Sequence, residues 1–426
     1  MTSTPIRTCV VALAALAVAA TLAMPMPAPA NTIGGNRPPP YVPAVRPALG
    51  DTLQDARDAI NDRRFSEALA LIDQAEQVQG DPLTPYEIYI INHLRGSAAA
   101  SAGNVPLAYK AFNLVLESSF MPAEQRLPIL AAMVRMAFSA RDYDTAVRAV
   151  ARYREAGGTD PAALEIEAQS LYLGKRYEEA AKVMGRQVQR KIDNGDTPSE
   201  QELQVLASSA IKTDDLDGYL AALRLMVTYF PSATTWLDLI IRTEQRSGFS
   251  DRYTLDVYRL REQTGTLLDP SDYMEAVQLA LQAGYPGDAQ RMLQSGYQRG
   301  VLGRDDDAGK ERQERLRDLV DRKIAEDRAT LAEGEALAAQ ADGGDALVNT
   351  GYNLVGYGEY QQGIALMNQG IEKGGLLQPN EARLRLGHAY YMAGMKQDAL
   401  KIFSSIKGDD GSGALAGLWS ILAREG

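Results

Sequence analysis

From about residue 50 onward, apolar side chains recur every three or four positions, the spacing of one buried face of an α-helix. Leu386, Ala389 and Tyr390 form one such stripe, and Ala399, Leu400, Phe403 and Ile406 form the next. The stripes are punctuated at regular intervals. Prolines placed to open helices fall at Pro85, Pro122, Pro161, Pro198, Pro231 and Pro270, separated by 37, 39, 37, 33 and 39 residues. Thr84-Pro85-Tyr86-Glu87 and Thr197-Pro198-Ser199-Glu200 each predict a full helix start. A threonine caps, a proline takes the first helical position, and a glutamate returns the cap bond. A period between about 20 and 50 residues indicates stacked supersecondary units.

The glycines give the same frame independently. Gly351, Gly358 and Gly363 are spaced seven and five apart, as are Gly387, Gly394 and Ala399, and Gly96, Gly103 and Ala108. Partial copies run through Ala56 with Ala68, Ala168 with Ala180, and Val277 with Gly284 and Ala289. An aromatic residue often precedes the last member by three, as at Phe65, Tyr143, Tyr177 and Tyr360. A helix hairpin explains the spacing. A small residue midway along the first helix lets the second helix cross close by. Seven residues on, a glycine or polar residue accepts the left-handed turn that ends the first helix. Five further, a small residue on the second helix completes the contact. The glycine-rich stretch NTGYNLVGYGEYQQG, 349–363, thus reads as hairpin packing. Gly356, Gly358 and Gly363 lack the spacing and the βαβ context of a dinucleotide-binding loop.

Leu386-Gly387-His388-Ala389-Tyr390 followed by Gly394, Ala399 and Phe403 resembles a tetratricopeptide repeat. Trp236-Leu237-Asp238-Leu239 resembles the first helix of such a unit, and Tyr177-Glu178-Glu179-Ala180 the opening of a second helix. The resemblance implies an all-α fold, an α-solenoid of stacked antiparallel helix hairpins in a right-handed superhelix. Eight units are placed, with second helices centred near Ala68, Ala108, Ala146, Ala180, Leu223, Ala289, Gly363 and Ala399. A divergent unit is expected between Thr234 and Leu260.

The array is expected to run as N-terminal repeats over 51–302 and C-terminal repeats over 345–408, with a capping helix in 409–426. Between them, 303–344 is rich in charge and in helix formers, with no clear hairpin glycine before Gly334. It reads as one long helical connector or as an atypical hairpin.

The first thirty residues differ from the rest. Arg7 precedes an alanine-rich apolar run from Val10 to Met24, and Ala28-Pro29-Ala30 follows as a small-residue cleavage site. This reads as a secretory signal peptide over 1–30, the apolar run being shorter than the ~20 residues a membrane anchor needs. No later stretch could span a membrane. The five prolines of 31–50 predict a disordered, extended linker. Cys9, the single cysteine, lies inside the signal, so the processed chain has no thiol and no lipidation site. The expected location is periplasmic or secreted. The formal charge of −11 argues against nucleic acid as a partner, because like charges repel.

Little of the sequence suits catalysis. His93 and His388 are the only histidines and lie far apart, which disfavours a His/Cys metal site, and no nucleophile elbow or Walker loop is present. Asp305-Asp306-Asp307 and Asp409-Asp410-Gly411 lack the ligand alternation of a calcium loop. No catalytic residue, metal or cofactor is assigned. Exported cell-wall-cleaving enzymes can carry helical superhelices, but no compact catalytic domain follows the array.

Binding is the better reading. In the resembled family, ligands lie along the concave face built by first helices. Residues one, four or five places after the small first-helix residue select Ser97, Arg135, Gln169, Tyr172, Ser208, Gln278, Tyr352, His388 and Tyr391. Three places before it, the rule adds His93, Gln204 and Met274. This polar, tyrosine-bearing face suits hydrogen bonding to an extended peptide or stacking on sugars. It lacks the Lys/Arg/Asn cluster that holds a terminal carboxylate. The expected partner is a protein, with a glycan as the alternative.

Overall fold

The computed structural model describes residues 44–424 apart from 79 and 305. Residues 1–30, expected as a signal peptide, and residues 31–43 of the expected linker lie outside the described residues. Twenty α-helices follow one another, successive helices pack in pairs, and there is no strand among the described residues. The all-α, hairpin-stacked architecture is therefore the one observed. The chain divides into two compact units, Met1–Val183 and Met184–Gly426.

The first unit begins with α1 (Pro47–Asn61) and α2 (Phe65–Glu76), followed by α3 (Pro85–Ser101) and α4 (Val105–Glu117). The third pair is α5 (Ala123–Ser139) and α6 (Tyr143–Glu155); α7 (Pro161–Leu173) then leads into α8 (Tyr177–Asp193), within which the division falls. Helix α1 starts earlier than the linker boundary at 50 predicted, because Pro47 occupies its first turn and Leu49 is fully buried. Thr84 and Glu87 form the expected capping box on α3. Arg46 locks it from outside, donating to both carboxylate oxygens of Glu87 at 2.8 and 2.7 Å. These bonds, against the opposing effect of burial, draw the Glu87 carboxyl down to about 2.

The hairpin physics is visible atom by atom. A Cβ on Gly96 would meet the Phe112 ring at 2.6 Å, and one on Gly387 would meet the Phe403 ring at 2.4 Å. In both hairpins the contacting residue is the sixteenth after the glycine, so the same crossing recurs. The residue seven places after each small position is left-handed in every one of eight hairpins: Arg63, Gly103, Arg141, Lys175, Asp214, Gly284, Gly358 and Gly394. Four of these lack glycine and carry the strain of a side chain at positive φ. Replacing Arg63, Arg141 or Lys175 by glycine is therefore expected to stabilise the first unit. Each change should add about 0.5–1 kcal/mol after the greater freedom of glycine in the unfolded chain is subtracted. Urea titration of single and triple variants checks the sign and the additivity.

The second unit opens with α9 (Glu200–Lys212) and α10 (Leu216–Tyr229). The cap of α9 is Ser199 with Glu202, two residues beyond the predicted Thr197 box, because Pro198 sits outside the helix. Helices α11 (Ala233–Glu244) and α12 (Thr254–Gln263) form the divergent pair, joined by a longer loop with a 3-10 turn at Asp251–Tyr253. Then come α13 (Pro270–Gln282), α14 (Pro286–Gln298), α15 (Asp307–Gln340), α16 (Asp345–Gly356) and α17 (Tyr360–Lys373). Helices α18 (Pro379–Met392), α19 (Lys396–Ser405) and α20 (Ser412–Arg424) complete the chain.

The charged stretch is a single 34-residue helix, α15. It does not separate two arrays, as the sequence had suggested. Its Leu316 and Val320 are buried in one core with Ala276, Met292 and Val348. Helix α14 meets α16 directly, since a Cβ on Gly287 would lie 2.7 Å from the carbonyl carbon of Gly356. Residues 200–302 and 345–424 therefore belong to one body. A second core joins Leu220, Trp236 and Leu260 to Phe403, Leu415 and Trp419. The capping helix α20 thus packs on α18 and α19 and also on α10.

Candidate functional site

In the first unit the first helices α1, α3, α5 and α7 carry a row of polar residues. His93 on α3 is buried at 3 % exposure, with its Nδ1 lacking a partner. Burial holds its imidazole below the ordinary value; a hydrogen bond from Gln125 of α5 opposes this, and the charge of Arg57 on α1 adds to it. His93 and Gln125 therefore link α3 and α5, with the Arg57 charge on α1 close enough to be felt. Arg57 is half-buried and follows Ala56 by one, so the register rule would have selected it, although it was not among the residues chosen. Ser97 is half-buried and donates its hydroxyl to the His93 carbonyl at 3.0 Å, within its own helix.

Arg135 and Gln169 are half-buried and have no hydrogen-bond or ion-pair partner among the described residues. Tyr172 is half-buried and packs edge-on against Tyr177. Beside it, Leu173 is 47 % exposed. A guanidinium and an amide with unspent bonding capacity on adjacent helices, next to an aromatic ring, can take up backbone and side chains of an extended segment.

The second unit places its candidates differently. Gln204 and Gln278 are exposed, Ser208 and Met274 half-buried. Tyr352 and His388, expected to face an open groove, are sealed in the core at 2 % and 3 % exposure. The Tyr352 hydroxyl and His388 Nδ1 are 2.6 Å apart. The reason is that α12 and α20 fill the space in front of them. Trp419 of α20 lies 4.9 Å from the His388 ring and 5.3 Å from that of Tyr391, centroid to centroid. Tyr391 remains half-buried.

A charged network lies beneath. Arg259 donates to Asp256 at 2.6 Å and to Asp288 at 2.8 Å, all three buried. Arg291 pairs with Asp288 and with Glu262. Burial pushes the Asp288 carboxyl up, but Arg259 and Arg291 outweigh it and hold the group well below the usual carboxylate range. No cluster of three or more His, Cys, Asp or Glu side chains with metal-binding geometry occurs among the described residues.

The sequence model for the tetratricopeptide repeat matches residues 132–191, which run from within α5 to within α8. Over these residues the chain matches the tetratricopeptide repeat. The same hairpin register recurs on both sides of these residues. Similar solved structures include the TPR2AB-domain:pHSP90 complex of yeast Sti1, at 14% identity over 70% of this chain and 99% of that one, TM-score 0.23. Yeast Tom70 matches at 9% identity over 88% and 96%, TM-score 0.20. The P58(IPK) TPR domain matches at 12% over 88% and 98%, TM-score 0.23. No curated protein matches the chain. Tetratricopeptide repeats are protein-interaction scaffolds, and none of the described helices is long and apolar enough to cross a membrane.

The buried histidine makes the second half of this repeat protein sensitive to acid. Burial first, then the charges of Arg291 and Arg259, hold His388 well below its ordinary 6.5. Unfolded, it takes a proton near that value; folded, it does so only at much lower pH. The stability it contributes is therefore complete above pH 6.5 and is lost as the pH falls toward the folded value. Glu381, raised by burial, acts with the opposite sign but is shifted less. The unfolding midpoint in urea is expected to be lower at pH 5 than at pH 7.5, with a flatter profile in His388→Asn. A His388→Asn profile as steep as that of the parent would assign the acid response to other groups.

Proposed function

We propose that this chain is an exported, non-enzymatic scaffold of a bacterial cell envelope that holds an extended segment of a partner protein. The surface involved is the first-helix face of the first unit. The carrying observation is the unspent hydrogen-bonding capacity of Arg135 and Gln169 on adjacent first helices, beside Tyr172 and the exposed Leu173. Such a face can pair with peptide backbone and seat a side chain, and it needs no motion of the scaffold. Export rests on the signal-like residues 1–30, and a periplasmic or secreted location follows from them.

A photocrosslinking amino acid placed at Arg135 or at Gln169 in living cells is expected to give a discrete protein adduct. The same group at Lys110, exposed on α4, is expected to give none. Equal labelling from all three positions would remove the assignment of this face. Retardation of the protein in polysaccharide gels, with no adduct from either position, would transfer the face to a glycan.

A further inference from the structure

Tyr352 and His388 each follow the close-packed glycine of their first helix by one residue, which is the groove-facing position of the repeat. What covers Tyr352 is a piece of the chain itself. Helix α12 is ten residues long, and seven of them are buried. From it the Arg259 guanidinium reaches 4.6 Å from the ring centre of Tyr352 and 5.3 Å from that of Tyr285. Its Nη1 donates to Asp256 and its Nε to Asp288, while its Nη2 is unpartnered. Upstream, the Ser250 amide donates to the Asp410 carbonyl at 3.0 Å, and Arg252 pairs with the Asp410 carboxylate. His388, kept neutral, holds the Tyr352 hydroxyl in place.

We infer that the groove of the C-terminal repeats is an arginine-reading site filled in cis by Arg259, with α12 as an internal ligand that closes this groove to partner segments. Two aromatic rings and two carboxylates around one side chain select a planar, delocalised cation over a compact ammonium. An apolar side chain of similar volume would serve a purely structural core as well or better, because buried ion pairs carry a large desolvation penalty. The arrangement specifies which group enters the groove. Binding of a partner in this half is thereby confined to faces other than the one Arg259 fills.

The test is chemical rescue in the full chain. Arg259→Ala is expected to lower the calorimetric melting point of the second unit by on the order of 10 °C, by exposing Asp288 and Arg291 to an incomplete network. Ethylguanidinium at millimolar concentration is expected to recover several degrees in that variant and to leave the parent unchanged. Ethylammonium is expected to do neither. A folded Arg259→Ala that melts with the parent, or that responds to both cations alike or to neither, overturns the inference. Should Arg259→Ala not fold, Arg259→Lys keeps the charge and stem but loses the fork. It is expected to melt below the parent, with amides of α12 exchanging about ten-fold faster. Parent-like behaviour of the lysine variant overturns the inference equally.

Discussion

Gly351→Ala is expected to destabilise the second unit by about 3 kcal/mol, although alanine is the better helix former by up to about 1 kcal/mol. The added methyl would lie 2.5 Å from the carbonyl oxygen of Gly363 and 2.9 Å from the amide nitrogen of Met367. Both are backbone atoms of α17, so relief requires one whole helix to move from the other. The contact is reciprocal, since a Cβ on Gly363 would lie 2.4 Å from the carbonyl oxygen of Gly351. Gly417 of α20 provides the control. It too lies within a helix, but nothing stands within 4 Å of its added Cβ. Gly417→Ala is therefore expected to stabilise by about 0.5–1 kcal/mol, helix propensity acting alone. Urea denaturation of both variants decides it. A neutral Gly351→Ala would mean that α16 and α17 do not cross at these glycines.

Asp288→Ala is expected to cost about 3–5 kcal/mol. Asp288 is 2 % exposed and serves two guanidiniums, Arg259 and Arg291. Removing it leaves the buried Arg259 with Asp256 and the half-buried Arg291 with Glu262, two cations facing two anions in a space arranged for three. The penalty is mainly that the Arg259 Nε and Arg291 Nη2 donors lose their charged acceptor in a site largely closed to water. Glu311→Ala on α15, which breaks a pair with Arg315 in which both side chains are more than half exposed, is expected to change stability by less than about 0.5 kcal/mol. Similar losses from the two changes would refute the buried network as drawn.

The hairpins were legible because their determinants are local. Small residue, left-handed residue and second-helix contact all lie within about seventeen positions, and steric exclusion at each is strong enough to be written in composition. The same reasoning misplaced the start of α9, since Thr197-Pro198 and Ser199-Glu200 compete for one cap and only the backbone beyond them decides. It also read Tyr352 and His388 as open. Their first-helix register was right, but the residue that covers Tyr352, Arg259, is about ninety positions away in sequence. No period relates a groove to a helix that fills it from another repeat. The long helix α15 was read as a divider because charge dominates its composition. Only the few apolar positions Leu316, Leu319, Val320 and Ile324 reveal that one side of it lies against the core. Arg57 was missed for a smaller reason: Ala56 is a weak copy of the glycine frame, and its successor was passed over.

The placement of the two indoles has a practical use. Trp236 and Trp419 sit in the same core, formed between α10–α12 and α18–α20, and the first unit contains none. Tryptophan fluorescence, excited at wavelengths tyrosine does not absorb, therefore follows one half of the molecule alone, while far-ultraviolet circular dichroism sums over both. Recorded together along a single denaturation curve, the two signals time the loss of each half separately, without any label being attached.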